Sequence, residues 1–198
     1  MNKLLNEIEK TLIGDICSCC NPKDELNTVC IDYKTKRIYA TDTTRLIIFY
    51  MNLEKEKENI YYIDKNIFLN SAINIKEEGV FIGRNEIKPF EKNKKFNYPS
   101  IERIIPNSYE SIYEITDFEI GTLHHLLVKH NFHYNPNYIN ALVPFFELTN
   151  KPKCYLKINH NSFPILISME LSGRELMKYL IMPILSSDDK KDFKKIKR

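Results

Sequence analysis

The chain has 198 residues, of which 43% are hydrophobic and 28% charged, and its 29 basic and 26 acidic residues leave a formal charge of +3 at pH 7. This composition is typical of a globular protein and excludes collagen-like and disordered classes. No apolar run approaches the roughly 18 residues that a membrane span needs, and the segment MNKLLNEIEK lacks the apolar block of a signal peptide. We therefore expect a cytoplasmic protein with no membrane partner.

Residues 1–63 show one helical pattern and several strand-like patterns. Apolar residues at helical spacing predict an amphipathic helix over residues 2–16, with Lys3 and Lys10 on its exposed face. Short β-rich runs follow and predict a meander with one further strand, at residues 27–33, 36–42, 45–51 and 60–63.

A second helix and a hairpin are predicted next. Asp64 is a suitable N-cap for a helix over residues 64–75, where apolar residues form one stripe. The runs at 79–83 and 85–90 predict a hairpin. An extended segment that ends at Pro106 leads from this hairpin to the second half of the chain.

The second half repeats this order of elements. A strand at 111–116 precedes a helix from Asp117 to His130, a short strand at 132–134 and a helix capped by Asn135 with Pro136 at its first position. Three more strands follow, at residues 156–158, 164–168 and 177–184. The pattern predicts an α+β chain with an internal repeat of about 90 residues.

Cysteine and histidine residues are the candidates for metal or catalytic chemistry. The five cysteines, an odd number in a chain without a recognisable secretory signal, indicate free thiols in a reducing compartment. Three of them lie in the segment CSCC, and C-x-C-C lacks the spacing of structural zinc sites. Four histidines between His124 and His133 form no i, i+4 ligand pair, which favours a polar helix face. We predict no metal and no cofactor, and a zinc site at the cysteines is the alternative.

Three stretches of the chain resemble the bacterial DNA polymerase III β sliding clamp family. ATDTTRL at 40–46 is similar to the family's ATDGHRL, and KFNYPSIERIIP at 95–106 resembles the close of its middle domain. NPNYINAL at 135–142 and KYLIMPI at 178–184 resemble the first helix motif and the ending of its last domain. These stretches occur in the family's order and align the chain with its second and third domains.

The resemblance implies a DNA-clamp-like α+β fold with two pseudo-repeated domains, each with two helices packed on antiparallel sheet. Residues 1–107 would form a clamp-like domain, residues 108–187 an abbreviated one, and residues 188–198 a charged tail. The second domain is expected to be abbreviated because residues 130–135 connect two helices almost directly. The first domain is expected to begin at its helix, without the family's leading strand.

The family's pocket between its middle and last domains takes short linear peptides from polymerases and the clamp loader. Carried over by matching motif, this peptide-binding pocket would consist of Leu26, Thr41, Arg45, Leu46, Pro106, Asn135, Tyr138, Leu180, Ile181, Met182, Pro183 and Ile184. An apolar cleft with a few polar groups suits an extended peptide. The alternative for Leu46 and Ile181 is that both are strand core.

For DNA, the resemblance implies sequence-independent contacts between helix lysines and the phosphates of double-stranded DNA. The matching positions are Lys3, Lys10, Lys65 and Lys129. Positive charge on these helices is sparse, because Glu7, Glu9 and Glu119 interrupt it. We therefore expect weak DNA binding that depends strongly on salt.

Enzymatic function is disfavoured. The chain contains no phosphate-binding glycine motif, no G-x-S-x-G and no H-E-x-x-H. A Cys–His nucleophile remains as an alternative, although no motif brings these residue types together.

The predicted function is a sliding-clamp-like processivity factor, assembled as a homo-oligomer, that tethers DNA polymerase and clamp-loader peptides to DNA. The rival hypothesis is a clamp-like adaptor or inhibitor of replication proteins that keeps the pocket without encircling DNA.

Overall fold

The structure is a computed structural model, and it describes residues 3–4, 7–17, 24–54, 57–90, 101–115, 120–149, 152–159 and 163–184. The chain divides into two compact units, Met1–Pro99 and Ser100–Arg198, which we call unit 1 and unit 2. The predicted tail, residues 188–198, lies outside the described residues.

Unit 1 contains two helices and eight strands among its described residues. The helices are α1 (Glu7–Cys17) and α2 (Lys65–Asn70). The strands are β1 (Lys3–Leu4), β2 (Thr28–Asp32), β3 (Arg37–Thr41), β4 (Arg45–Tyr50), β5 (Ile60–Asp64), β6 (Ile73–Ile75), β7 (Val80–Ile82) and β8 (Asn85–Glu86). They form two antiparallel arrangements within the unit, in the orders β5-β2-β3-β4 and β1-β6-β7-β8.

The core of unit 1 lies between α1, α2 and the strands β2 to β5. Strands β2, β3 and β4 are almost continuously buried, as expected of runs rich in isoleucine, valine and tyrosine. On α1, Leu12, Ile13 and Ile16 are buried, and the helix contacts β2, β3 and β4. A Cβ atom at Gly14 would lie 2.4 Å from a methyl group of Leu69, so glycine permits the close approach of α1 and α2.

Two predictions for unit 1 were wrong in detail. The first helix begins at Glu7 rather than residue 2, and Lys3 and Leu4 form a leading strand that pairs with β6, Leu4 opposite Asn74. The second helix ends at Asn70, since Ile73–Ile75 pairs with both β1 and β7 and satisfies its backbone groups in a sheet. The predicted Asp64 cap is confirmed, because its Oδ1 accepts hydrogen bonds from the backbone of Asn66 and Ile67.

Unit 2 contains three helices and four strands among its described residues. They are β9 (Ser111–Ile115), α3 (Ile120–Lys129), α4 (Pro136–Asn140), α5 (Val143–Leu148), β10 (Lys153–Ile158), β11 (Ile165–Leu171) and β12 (Arg174–Ile181). The strands pair antiparallel in the order β9-β10-β11-β12. The second predicted helix is divided into α4 and α5, and Pro144, which lacks a backbone N–H, lies in the first turn of α5.

The strand predicted at residues 132–134 is absent. Phe132 instead extends the end of α3, where its backbone N–H donates to the Leu127 carbonyl at 2.9 Å and its ring is buried. Asn131 adopts the left-handed conformation that allows this helix ending, with φ of 52°. The predicted α+β class is confirmed. No helix in the described ranges is long and apolar enough to cross a membrane.

Candidate functional site

A cleft of about 1040 Å³ opens in unit 2, and the described residues that line it belong to that unit. Its apolar lining consists of Ile104, Ile105, Pro106, Tyr109, Phe163, Pro164 and Met182. Its polar lining consists of Glu102, Arg103, Asn107, Ser108, Glu110 and Asn159. An apolar lining interspersed with polar groups is the usual composition of a site that takes an extended peptide or a small molecule.

One wall of the cleft is the segment that leads into β9. A 3₁₀ turn at Ile101–Arg103 begins it, and the Ile104 N–H donates to the Ile101 carbonyl at 3.0 Å. Ile101 is buried and anchors the turn. Ile104, Ile105 and Pro106 are consequently half-buried and present apolar surface to the cleft.

Asn159 fixes this wall to the end of β10. Its Nδ2 donates to the Ser108 carbonyl at 2.7 Å, and its Oδ1 accepts from the Glu110 N–H at 2.9 Å. The same Glu110 N–H also lies 3.1 Å from the Ile158 carbonyl. One amide side chain therefore sets the shape of the mouth of the cleft.

The segment after β12 forms another part of the site. Met182 lines the cleft, and the Ile184 N–H donates to the His133 carbonyl at 2.8 Å. This bond places residues 182–184 beside the start of α4, where the Asn135 Oδ1 accepts from the Asn137 N–H at 3.1 Å. The structure thus brings the predicted residues near position 183 close to the predicted Asn135.

Tyr109 lies at the cleft with an unusual hydroxyl. Its Oη is buried and has no hydrogen-bond partner among the residues that the structure describes. Burial raises the pKa of Tyr109, with a smaller lowering contribution from Lys178 and a raising one from Glu175. The hydroxyl therefore stays protonated at neutral pH and is able to donate a hydrogen bond.

In unit 1, Thr41, Arg45 and Leu46 share the β3–β4 hairpin. The Arg45 side chain is buried, and its Nε and Nη1 lie 2.9 Å from carboxylate oxygens of Asp42 and Asp15. The Thr41 hydroxyl donates to the Arg45 carbonyl at 2.7 Å. Arg45 therefore connects α1 to the hairpin turn.

Thr43 occupies the position where the resembled motif has glycine. Its φ is 79°, in the left-handed region that is unfavourable for a β-branched residue. Asp42 supports the turn, since its Oδ1 accepts from the N–H groups of Thr44 and Arg45 at 2.8 and 2.7 Å. The substitution is tolerated at a cost in backbone strain.

The other predicted pocket residues have varied environments. Leu26, Leu46, Leu180 and Ile181 are all buried, which agrees with the strand-core alternative for Leu46 and Ile181. Tyr138 and Pro183 are half-buried, and Ile184 is 60% exposed. Of the predicted set, Pro106 and Met182 line the cleft.

The predicted DNA-contact lysines differ in accessibility. Lys10 is only 7% exposed and lies 3.4 Å from a carboxylate oxygen of Glu7, so its expected position on an exposed helix face is wrong. Lys3 lies in β1, and Lys65 is half-buried at the start of α2. Lys129 is exposed in the last turn of α3, where it complements the helix dipole.

Two cysteines in the described ranges are buried, and two histidines contact tyrosine hydroxyls. Cys30 and Cys154 are buried thiols, and burial raises the pKa of Cys154 to about 12. His124 is hydrogen-bonded to Tyr134, and His130 Nε2 lies 2.7 Å from the Tyr113 hydroxyl. No group of three metal-ligating side chains occurs in the described part of the chain. The segment CSCC at 17–20 lies largely outside the described residues.

Sequence reasoning missed Asn159, Phe163 and Pro164. They come together with residues 102–110 only through the pairing of β9 with β10, which places Ser111 opposite Ile158. The local signal was weak, since an Asn near the end of a strand and a Phe-Pro pair occur in many loops.

No family model matches the chain, and no curated protein matches its sequence. Solved structures of bacterial clamps match its fold. A Helicobacter pylori β clamp in complex with diflunisal has a TM-score of 0.60 and 16% identity, over 91% of this chain and 64% of that chain. The DNA polymerase III β subunit of Thermotoga maritima has a TM-score of 0.61 and 14% identity, over 94% and 66%.

A third match is the Helicobacter pylori β clamp bound to a DNA ligase peptide, with a TM-score of 0.54 and 18% identity, over 93% of this chain and 66% of that chain. The chain thus spans about two thirds of the length of the clamps it matches. These likenesses confirm the predicted clamp-like fold, although the sequences have diverged widely.

Proposed function

We propose that this protein is a sliding-clamp-like processivity factor, acting in the cytoplasm, that tethers replication proteins to double-stranded DNA. The observation that carries the proposal is the clamp fold over 91–94% of the chain. One of the matching clamps is bound to a DNA ligase peptide, which supports peptide capture as the means of recruitment. The proposal involves no catalysis by this chain and no cofactor.

The cleft in unit 2 is the proposed peptide site. Pro106 and Met182, which the clamp resemblance assigned to a peptide pocket, lie on it, and the Met side chain adapts to irregular apolar ligands. An extended peptide with a polar residue followed by leucine and an aromatic residue would place its apolar side chains on this floor. The expected ligands are segments of a DNA polymerase and of a clamp loader.

DNA contact and assembly complete the proposal. Lys3, Lys65 and Lys129 remain as candidate phosphate contacts, and the binding would be independent of sequence. If each chain supplies two clamp-like domains, three copies would close a ring of six, so we propose a homo-oligomer.

A second candidate function is an adaptor or inhibitor of replication proteins that keeps the cleft without encircling DNA. The burial of Lys10 favours it, because it removes one of four expected phosphate contacts. The four described strands of unit 2, against eight in unit 1, favour it further, since a closed ring needs sheet edges on every domain. The two candidates share the peptide site and differ in assembly.

The peptide site is tested by titrating the chain with a blocked synthetic peptide that has a polar–leucine–aromatic core. We expect saturable binding with a sub-millimolar Kd. Met182→Asp should abolish it, because the ligand would bury a carboxylate without a partner. Leu171→Asp is the matched control, since Leu171 is an exposed apolar residue of unit 2 away from the cleft. Unsaturable binding by the unaltered chain, with both variants folded by circular dichroism, would refute the site.

Assembly and DNA binding separate the two candidates. Light scattering at micromolar concentration should show a mass above that of one chain for a clamp, and a single chain for an adaptor. Replacing Lys65 and Lys129 with Ala should reduce the slope of log affinity against log salt by about 2, since each phosphate contact contributes about 0.9. Lys153→Ala, at an exposed position of β10, should leave the slope unchanged.

A further inference from the structure

The helices of unit 2 lie in a stretch of chain that is rich in histidine and free of acidic residues. Residues 120–146 contain four histidines, one lysine and no Asp or Glu, so their formal charge of +1 at pH 7 can only increase as the pH falls. Asp117 and Glu119 precede this stretch and lie outside the described residues. In unit 1, by contrast, α1 carries three acidic residues and one lysine. The positive charge of the unit 2 helices therefore depends on pH, because imidazole gains its proton between about pH 8 and 5.

Two of the four histidines are engaged by tyrosines. His124 Nδ1 is hydrogen-bonded to the Tyr134 hydroxyl, and the two rings stack with their centroids 5.7 Å apart. His130 Nε2 lies 2.7 Å from the Tyr113 hydroxyl, and these rings meet edge to face. Both imidazoles are half-buried, so they are fixed within the unit.

His125 is placed differently, on the solvent-exposed face of α3. Thr122, His125 and Lys129 are all exposed, and their spacing of i, i+3 and i+7 puts them on one face of the helix. Within the described ranges, neither His125 nor Lys129 forms a side-chain hydrogen bond or ion pair. One permanent cation and one titratable group are therefore available together to a ligand in solvent.

The elements around α3 leave this face without a compensating carboxylate among the described residues. Helix α4 packs against α3, and Tyr138 is its titratable residue, with no charged residue beside it. On β9, Glu114 lies 3.5 Å from Lys153 Nζ. Glu147 belongs to α5 and is exposed there. A proton on His125 thus adds positive charge to a helix that has no acidic residue of its own.

We propose that His125 is a phosphate contact whose charge is set by pH, so that this chain binds double-stranded DNA more tightly as the pH falls from about 8 to 6. The inference rests on the proposed DNA binding and adds a residue and a pH dependence to it. Lys129 offers a phosphate contact at either pH. His125 offers one only when it is protonated, and each such contact adds about 0.9 to the slope of log affinity against log salt.

The test is a titration of a labelled short DNA duplex with the chain at pH 6 and pH 8 over a range of salt, followed by fluorescence anisotropy. The salt slope should be steeper at pH 6 by up to about 0.9. The ratio of affinities at the two pH values should rise about threefold when salt is lowered from about 0.2 M to about 0.05 M.

Three variants identify the group that carries this dependence. His125→Ala should remove the pH-dependent part of the slope and leave the slope at pH 8 unchanged. His125→Lys should give the steeper slope at both pH values. His133→Ala is the matched control, since His133 is an exposed histidine outside α3 whose backbone carbonyl bonds to the Ile184 N–H, and it should behave as the unaltered chain. Circular dichroism at both pH values checks that each variant is folded.

The outcomes distinguish this inference from the proposed function. If the unaltered chain binds the duplex at neither pH, the proposed DNA contact is refuted and the inference with it. If it binds with the same slope at both pH values, the DNA contact stands and the role of His125 is refuted. A pH dependence that persists in His125→Ala, or that disappears in His133→Ala, would also overturn the assignment.

Discussion

Each unit contains four strands whose first member precedes the first helix of that unit, and unit 1 contains four further strands. In unit 1, β1 precedes the first helix and pairs with β6, which continues to β7 and β8. In unit 2, β9 precedes the first helix and pairs with β10, which continues to β11 and β12. Unit 1 also places β2 to β5 between its two helices, whereas residues 130–135 connect α3 directly to α4.

In the described part of unit 2, the absent strands are the complete set that corresponds to β2–β5. The backbone groups of β9 to β12 bond to one another, so the absence of counterparts to β2–β5 removes no partner from within this ladder. Loss of one strand from the middle of a sheet would instead leave two unpaired edges.

The two units also differ in the charged side chains that they bury. Among the described residues, the buried charged side chains all lie in unit 1, at Glu9, Lys10, Asp32, Asp42 and Arg45. In unit 2, Ser168 is the buried polar residue within the described ranges. Substitutions can test whether this contrast has energetic consequences.

The largest expected effect is in unit 1. Arg45→Leu leaves Asp42 buried without its cationic partner, so we expect the free energy of unfolding to fall by about 3 kcal/mol. Urea titration followed by circular dichroism measures it. Arg174→Leu, at an exposed position of unit 2, should change stability by less than about 0.5 kcal/mol. If the two substitutions lowered the free energy of unfolding equally, the contrast between the units would be contradicted.

The opposite sign is expected in unit 2. The Ser168 Oγ is buried without a hydrogen-bond partner among the described residues, so Ser168→Ala removes an unsatisfied group. We expect a gain in stability of about 1 kcal/mol. Thr41→Ala in unit 1, which removes a hydroxyl that bonds to the Arg45 carbonyl, should destabilise by a similar amount. A loss of stability in Ser168→Ala would contradict the inference that the Ser168 hydroxyl is an unsatisfied group in the interior of unit 2.

A smaller effect is expected at the turns. Thr43→Gly relieves a left-handed conformation in the β3–β4 turn and should stabilise by about 0.5 kcal/mol, because glycine's greater entropy in the unfolded chain offsets part of the gain. In unit 2, Gly173 already occupies such a position, with φ of 75°, and Gly173→Ala should destabilise by about 1 kcal/mol. Thermal unfolding of both variants provides the comparison.

The smallest expected effect is on the order in which the two units expose their buried cysteines in urea. Cys30 in unit 1 and Cys154 in unit 2 are both buried, and burial raises the pKa of Cys154 to about 12, so its thiolate is scarce at pH 8. In a background with Cys17, Cys19 and Cys20 replaced by Ser, neither thiol should react with a maleimide under native conditions. In low urea, Cys154 should react before Cys30, because unit 2 contains fewer strands. Mass spectrometry identifies the labelled residue.

Much of the fold was predictable from the sequence, because β-rich runs, caps and prolines act locally. Asp64 and Asn135 cap their helices as expected, and β2 to β5 lie where the runs predicted them. The errors arose where pairing over a long range overrode local pattern. Lys3–Leu4 and Ile73–Ile75 carry helical spacing, but each satisfies the backbone of the other as a strand.

The candidate site was only partly predictable for the same reason. Motif likeness identified Pro106 and Met182, which line the cleft. It also selected Arg45, whose buried guanidinium contacts Asp15, thirty residues earlier in the chain. Asn159 has no motif at all, since its role depends on the register that joins β9 to β10.

The pairing of the leading strand in each unit also has a consequence for folding kinetics. When Lys3 pairs with Ile75, the loop that closes contains all of β2 to β5. When Ile115 pairs with Cys154, the loop contains only three short helices. The shorter loop costs less closure entropy, by roughly 0.6 kcal/mol for each halving of its length, and lowers the contact order of the sheet. On this ground alone, we expect the sheet of unit 2 to form earlier during refolding than the sheet that contains β1.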